Sequence, residues 1–138
     1  MTMEMSLQSE GLYLFLECVE IDEIYSHSMK YRVKIDLCHP TGIFTYSADD
    51  IWLETDMWDC FEKKLSKGLE EKAIFHDQSN YLIISLTRTS KDIEFMIKVR
   101  EPLIDGGESN LTSVRKIDLD SGFINALTKS FSDFPKFW

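Results

Sequence analysis

Three histidines and three cysteines are the residues best suited to nucleophilic, proton-transfer or metal chemistry in this chain. Their spacing favours none of these. Cys38 and His39 are neighbours, but adjacent residues on a strand point to opposite faces and would not meet as nucleophile and base. His27, His39 and His76 each fall near a turn or a strand end. A metal set drawn from Cys38, His39, Cys60 and His76 matches no established ligand spacing. Asp49, Asp50 and Glu54 could offer carboxylate oxygens to a divalent cation, but without the glycine and alternate-position ligands of a calcium loop. There is no G-x-S-x-G elbow, phosphate-binding loop, H-E-x-x-H or dinucleotide fingerprint. The expectation is a protein with no catalytic residues, no metal and no cofactor.

Acids are the more informative residues. The formal net charge is −9, from 24 acids and 15 bases. Segment 17–23 (ECVEIDE) holds four acids and segment 49–59 (DDIWLETDMWD) holds five, with no base in either. Those nine equal the whole excess, so the remaining acids and bases balance. A field concentrated in this way repels phosphates and favours a basic protein partner, which argues against nucleic acid. The second segment also carries aromatics. Trp58 fits a helical core stripe, whereas Trp52 could be core or an interface anchor. Asp49, Asp50, Trp52, Glu54, Asp56 and Asp59 are therefore the candidate partner-binding residues; a solvated acidic loop is the plainer reading of the same segment.

The elements that must position these residues follow from periodicity. Residues 1–10 are polar and Met-rich and are expected to fray. Residues 12–21 make a strand with apolar residues on both faces near its start. Segment 31–37 alternates cleanly, with Tyr31, Val33, Ile35 and Leu37 inward. His39-Pro40-Thr41-Gly42 is a tight turn, and 43–48 returns as the second arm of a hairpin. A short extended piece at 51–53 leads into a helix capped by Thr55 or Asp56, striped by Trp58, Phe61 and Leu65 and stopped at Gly68. Strands follow at 72–76, 81–88 and 93–100, then a loop at 101–110 and a strand at 111–119. The last helix is capped by Ser121, buries Phe123, Ile124, Leu127 and Phe131, and ends before Pro135. The predicted fold is α+β: an antiparallel sheet of six to seven strands with two amphipathic helices packed on one face. The aromatic end, FSDFPKFW, either tucks back over the core or meets a second subunit as a homodimer.

At 138 residues, 43% hydrophobic and 12% aromatic, the chain can bury the core of a single domain. No internal repeat or linker breaks it. Its apolar runs are too short to span a bilayer, and Glu4 and Glu10 sit where a secretory signal would be basic. An odd, widely spaced set of cysteines argues against a disulfide framework. Together these predict a cytoplasmic protein.

Two stretches carry a resemblance. Segment 31–67 (YRVKIDLCHPTGIFTYSADDIWLETDMWDCFEKKLSK) has a charged alternating strand, a glycine turn, a second strand and an acid- and aromatic-rich entry to a lysine-ending helix. Segment 114–131 (VRKIDLDSGFINALTKSF) is a strand closing in Ile-Asp that runs through a capped turn into an amphipathic helix. Both resemble small bacterial immunity-type proteins typified by the WapI immunity family. The resemblance implies a protein that neutralises a polymorphic toxin, often a nuclease, by binding it; the longer N-terminal segment and the Gly-rich 101–110 stretch depart from that group. The competing reading is a small enzyme or small-ligand-binding domain whose site assembles only in three dimensions.

Overall fold

The computed structural model describes residues 3–22, 24 and 27–138; Glu23, one of the acids of the first segment, lies outside them. Four strands, β1 (Glu4–Ser9), β2 (Leu12–Asp22), β3 (Ser28–His39) and β4 (Gly42–Glu54), run antiparallel in sequence order and are followed by helix α1 (Thr55–Ser66). The same plan then recurs. Strands β5 (Ala73–His76), β6 (Leu82–Arg88), β7 (Asp92–Pro102) and β8 (Glu108–Asp118) form a second antiparallel meander. A single 3-10 turn at Leu119–Ser121 leads from it into helix α2 (Phe123–Ser132). The α+β class and antiparallel pairing agree with the sequence reading. The single sheet of six to seven strands does not: among the described residues there are eight strands in two four-stranded sheets.

Alternation explains why both sheets close on one core. Tyr31, Val33, Ile35 and Leu37 are fully buried, as are Leu16 and Met29. From the second sheet Leu82, Leu86, Ile93, Phe95 and Ile97 turn inward to join the same cluster. Each inward residue leaves its neighbours on the outer face, so both sheets have one packed and one solvated side. Glu4–Ser9, expected to fray, belongs to the first sheet as an edge strand, with Met5 and Leu7 buried. The expected loop at 101–110 is confined to 103–107: β7 runs to Pro102, and β8 begins at Glu108.

Helices α1 and α2 pack on each other, α1 against β5 and α2 against β1, so they close the edges of the two sheets rather than lying on one face of a single sheet. Ser130 on α2 donates its hydroxyl to the Ser6 carbonyl on β1 at 3.1 Å. Neither Thr55 nor Asp56 caps α1. Glu54 holds the N-cap position without a side-chain bond, and the Thr55 N–H is satisfied by the His27 carbonyl at 3.1 Å. Ser121 lies one residue outside the Gly122 cap position of α2, yet its hydroxyl still accepts the Phe123 N–H at 3.2 Å.

The two halves meet around Trp58, which is fully buried. Its ring stacks on Tyr31 at 5.8 Å and lies 4.7 Å from both Phe131 and Phe134. Phe75 of β5 and Trp138 approach it edge-on at 6.0 and 6.2 Å. The C-terminal aromatics thus tuck back over the core, with Phe134 buried and Phe137 left partly exposed. At the opposite end Arg115 of β8 donates to the Glu10 carbonyl at 3.0 Å and the Cys38 carbonyl at 2.6 Å. Gly11 makes room for this clasp: its φ is +75°, and a Cβ there would stand 3.0 Å from the Arg115 guanidinium. Asp77, buried at the β5–β6 turn, accepts the Leu82 N–H at 2.9 Å and so fixes where β6 starts.

Candidate binding surface

The outer face of the first sheet is where the two acidic segments come together. β3 runs between β2 and β4, and two of its outward bases, Lys30 and Arg32, each bridge one acid from either side, while Lys34 lies 4.0 Å from Asp36 of its own strand. Arg32 binds Glu17 at 2.9 Å and Asp49 at 3.4 Å. Lys30 lies 3.9 Å from Glu20 and 3.8 Å from Asp50. The register places Glu4 opposite Glu17, and Asp36 between Tyr13 and Thr45, on the same face. With Asp22 and Glu54 opposite Ser28 at the corner end of this face, eight acids (Glu4, Glu17, Glu20, Asp22, Asp36, Asp49, Asp50, Glu54) stand against three bases (Lys30, Arg32, Lys34), leaving a net charge of −5.

A β-bulge shapes this surface. The β3–β4 register shifts between Tyr31 and Val33, so Asp49 and Asp50 together oppose Arg32. Their side chains remain 84% and 76% exposed, so the ion pairs are solvated and each is worth little. Trp52 follows with its indole N–H donated to Asp50 at 3.1 Å. It is half-buried on the outer face, as are Phe15 and Tyr13, while Trp58 is core. The face therefore combines carboxylates with aromatic area, the mixture that interfaces use as anchor and rim.

The six candidate residues do not form one surface. Asp49, Asp50 and Trp52 lie on the sheet face. Glu54 and Asp56 are exposed at the strand-to-helix corner, with no ion pair among the described residues. Asp59, one turn into α1, is engaged by the C-terminal tail. It takes the Lys136 ammonium at 2.7 Å and the Trp138 indole N–H at 2.9 Å, while Glu62 takes the same ammonium at 2.6 Å. Tyr13 and Phe15 were not singled out from sequence, and Glu17 and Glu20 were read only as members of the acidic 17–23 segment, not as contact residues. Their signal was the alternation of β2, where Leu12, Leu14 and Leu16 turn inward and leave 13, 15 and 17 outside.

Cys38 and His39 end β3, Cys60 is exposed on α1 and His76 ends β5. Among the described residues no three His, Cys, Asp or Glu side chains converge as a metal site. No helix among them is long and apolar enough to cross a membrane.

Along the free side of β4 runs a groove lined by 45–51, Tyr81 and Glu101. Within it Tyr46 donates its hydroxyl to the Glu101 carboxylate at 2.9 Å. Burial, and then the Glu101 hydrogen bond and charge, push the Tyr46 phenol well above its ordinary value of 10.0; Tyr31 is raised in the same direction, by burial first. For Lys136 burial opposes the ammonium, but Asp59 and Glu62 outweigh it and raise its value. All three shifts have one sign. Their contribution to stability is complete below pH 10.0 for the tyrosines and 10.5 for the lysine, and it falls as pH rises through the folded values, because the unfolded chain then sheds protons that the folded chain keeps. The urea midpoint should accordingly drop as pH rises from about 9 to about 11. Tyr46→Phe should flatten that dependence, and phenolate absorbance should show Tyr31 and Tyr46 ionising only as the protein unfolds.

No family model, curated protein or solved structure matches this chain.

Proposed function

We propose that this chain is a non-catalytic binding protein that neutralises a basic protein partner, in the manner of an immunity protein acting on a cognate toxin. The observation that carries this reading is the meeting of both acidic segments on the outer face of the first sheet, beside Tyr13, Phe15 and Trp52. A toxin nuclease is basic where it holds phosphate, and opposite potentials speed encounter and suppress wrong partners. Lys30 and Arg32 leave the face net negative while bridging carboxylates of β2 and β4. Glu54 and Asp56 extend the charge around the corner to α1, while Asp59 acts within the molecule by holding the tail.

The test is association, followed by stopped flow, with the C-terminal domain of the polymorphic toxin that this reading expects the neighbouring gene to encode. Changing Asp49→Asn, Asp50→Asn and Glu54→Gln together removes three exposed charges and no buried contact. The variant should fold normally and associate about tenfold more slowly at low salt. The difference should shrink as salt screens the field. Failure of the native chain to bind that domain, or an unchanged association rate at low salt, would rule the reading out.

A further inference from the structure

The two sheets have four edges, and three of them are protected. β1 is covered by α2, and β5 is only four residues long and packs against α1. β4 carries the bulge with Asp49 and Asp50, and the β5–β6 turn sits against it, with the Gln78 N–H donated to the Trp52 carbonyl at 2.9 Å. These are the devices by which sheet proteins avoid pairing edge to edge. Among the described residues β8 has no covering helix, no bulge and no shortening; its inward charge, Arg115, is engaged by the Glu10 and Cys38 carbonyls. Its ladder to β7 runs through eleven consecutive pairs, from Asp92 opposite Asp118 to Pro102 opposite Glu108, with no shift of register and no proline in β8 itself. Its inward Leu111, Ser113 and Arg115 are only half-buried, so the core ends beneath this strand instead of wrapping it.

We propose that β8 is a self-association edge, at which two copies of this chain pair antiparallel along 108–116 and join their second sheets into one eight-stranded sheet. Charge complementarity selects the occupant and the register. When Thr112 lies on the twofold axis, Glu108 of each copy stands opposite Lys116 of the other, so the pairing forms two cross-strand ion pairs. Outward residues then meet outward residues, with Asn110 opposite Val114, and the pleat continues unbroken. Moving the axis to Ser113 would set Glu108 against Asp118, a like-charge pair; moving it to Leu111 or Val114 leaves Glu108 and Lys116 without opposite partners. Glu108 is held within the chain by Asn110, whose amide donates to it at 3.0 Å, and by Arg100 at 3.9 Å, and Lys116 stands opposite Glu94 in the ladder without a close ion pair among the described residues; the intermolecular pair competes with these exposed contacts. Such an interface is isologous and closes at two copies. It uses the second sheet and leaves the acidic face of the first sheet open, so it stands or falls independently of the partner reading.

The test is sedimentation velocity of the full chain across a concentration series. The native protein should dimerise. Glu108→Lys turns both attractions into repulsions and should weaken the dimer about tenfold or more, while Glu108→Lys with Lys116→Glu should restore it. Circular dichroism confirms that each variant is folded. As a check on register, Thr112→Cys in a Cys38→Ser, Cys60→Ser background should oxidise to a covalent dimer, since directly opposed strand residues lie within disulfide reach. Val114→Cys, which faces Asn110, should do so far less. A monomer at every concentration, a dimer indifferent to the charge variants, or equal cross-linking at 112 and 114 would each overturn the proposal.

Discussion

Trp58→Ala is expected to cost about 3–5 kcal/mol. Most domains are stable by about 5–15 kcal/mol, so this loss removes a large share of that margin and should lower the urea midpoint markedly. The magnitude follows from position. Trp58 is fully buried and touches rings from β3, β5, α2 and the tail, so the cavity left by its removal is walled by elements that cannot all move inward together. Trp58→Phe should cost much less. The indole Nε1 has no hydrogen-bond partner in the core, and phenylalanine keeps the ring while removing that unpaired donor. Urea denaturation of the three proteins, followed by far-ultraviolet circular dichroism, measures both differences. A loss below about 1 kcal/mol for the alanine variant would show that the cluster does not hold the halves together.

Deleting 134–138 should destabilise the protein by a similar amount, about 3–5 kcal/mol, although it removes only the end of the chain. The segment takes with it the buried Phe134 ring, the Lys136 ammonium shared by Asp59 and Glu62, and the Trp138 indole on Asp59. The ion pairs are partly exposed and contribute the smaller share; burial of the rings contributes most. Because Phe134 and Trp138 both touch Trp58, the deletion combined with Trp58→Ala should cost less than the two separate losses together. In the deleted protein the Trp58 emission should shift to the red as water reaches the ring. An additive double variant would mean that the tail and Trp58 stabilise separate parts of the molecule.

Much of the local structure was legible because period-two alternation and helical stripes are direct records of which side is buried. Tyr31, Val33, Ile35 and Leu37 read as inward and are fully buried. Trp58, Phe61 and Leu65 read as one stripe and form one, as do Phe123, Leu127 and Phe131, with Ile124 at its half-buried margin. Alternation names a face, but not the sheet that owns it. The break between β4 and β5 is filled by a helix, and nothing in the hydrophobic pattern on either side says whether the strands rejoin one sheet or start another. Glu4–Ser9 was missed because two inward residues, Met5 and Leu7, are too few to stand out from a polar segment. The 101–110 stretch misled because Pro102 and Gly106-Gly107 mark a turn only five residues long, whose flanks are polar strand.

The acidic surface was half legible. Composition located both segments, but their meeting depends on register. β3 joins them by setting Arg32 between Glu17 and the Asp49–Asp50 pair, and the bulge that turns both aspartates toward it has no signature in residue type. Charge runs can be found by inspection; the cross-strand partners that gather them cannot.

The repetition of four strands and a helix invites a view of the molecule as two modules, yet its energetics cross that division. The stack of rings around Trp58 draws on both repeats, and Arg115 ties the far ends together. Neither half, released alone, would have anything to lay against its greasy side. The natural expectation is a molecule that melts in a single event, with cleavage near Gly68 producing two fragments that must find each other again in order to persist.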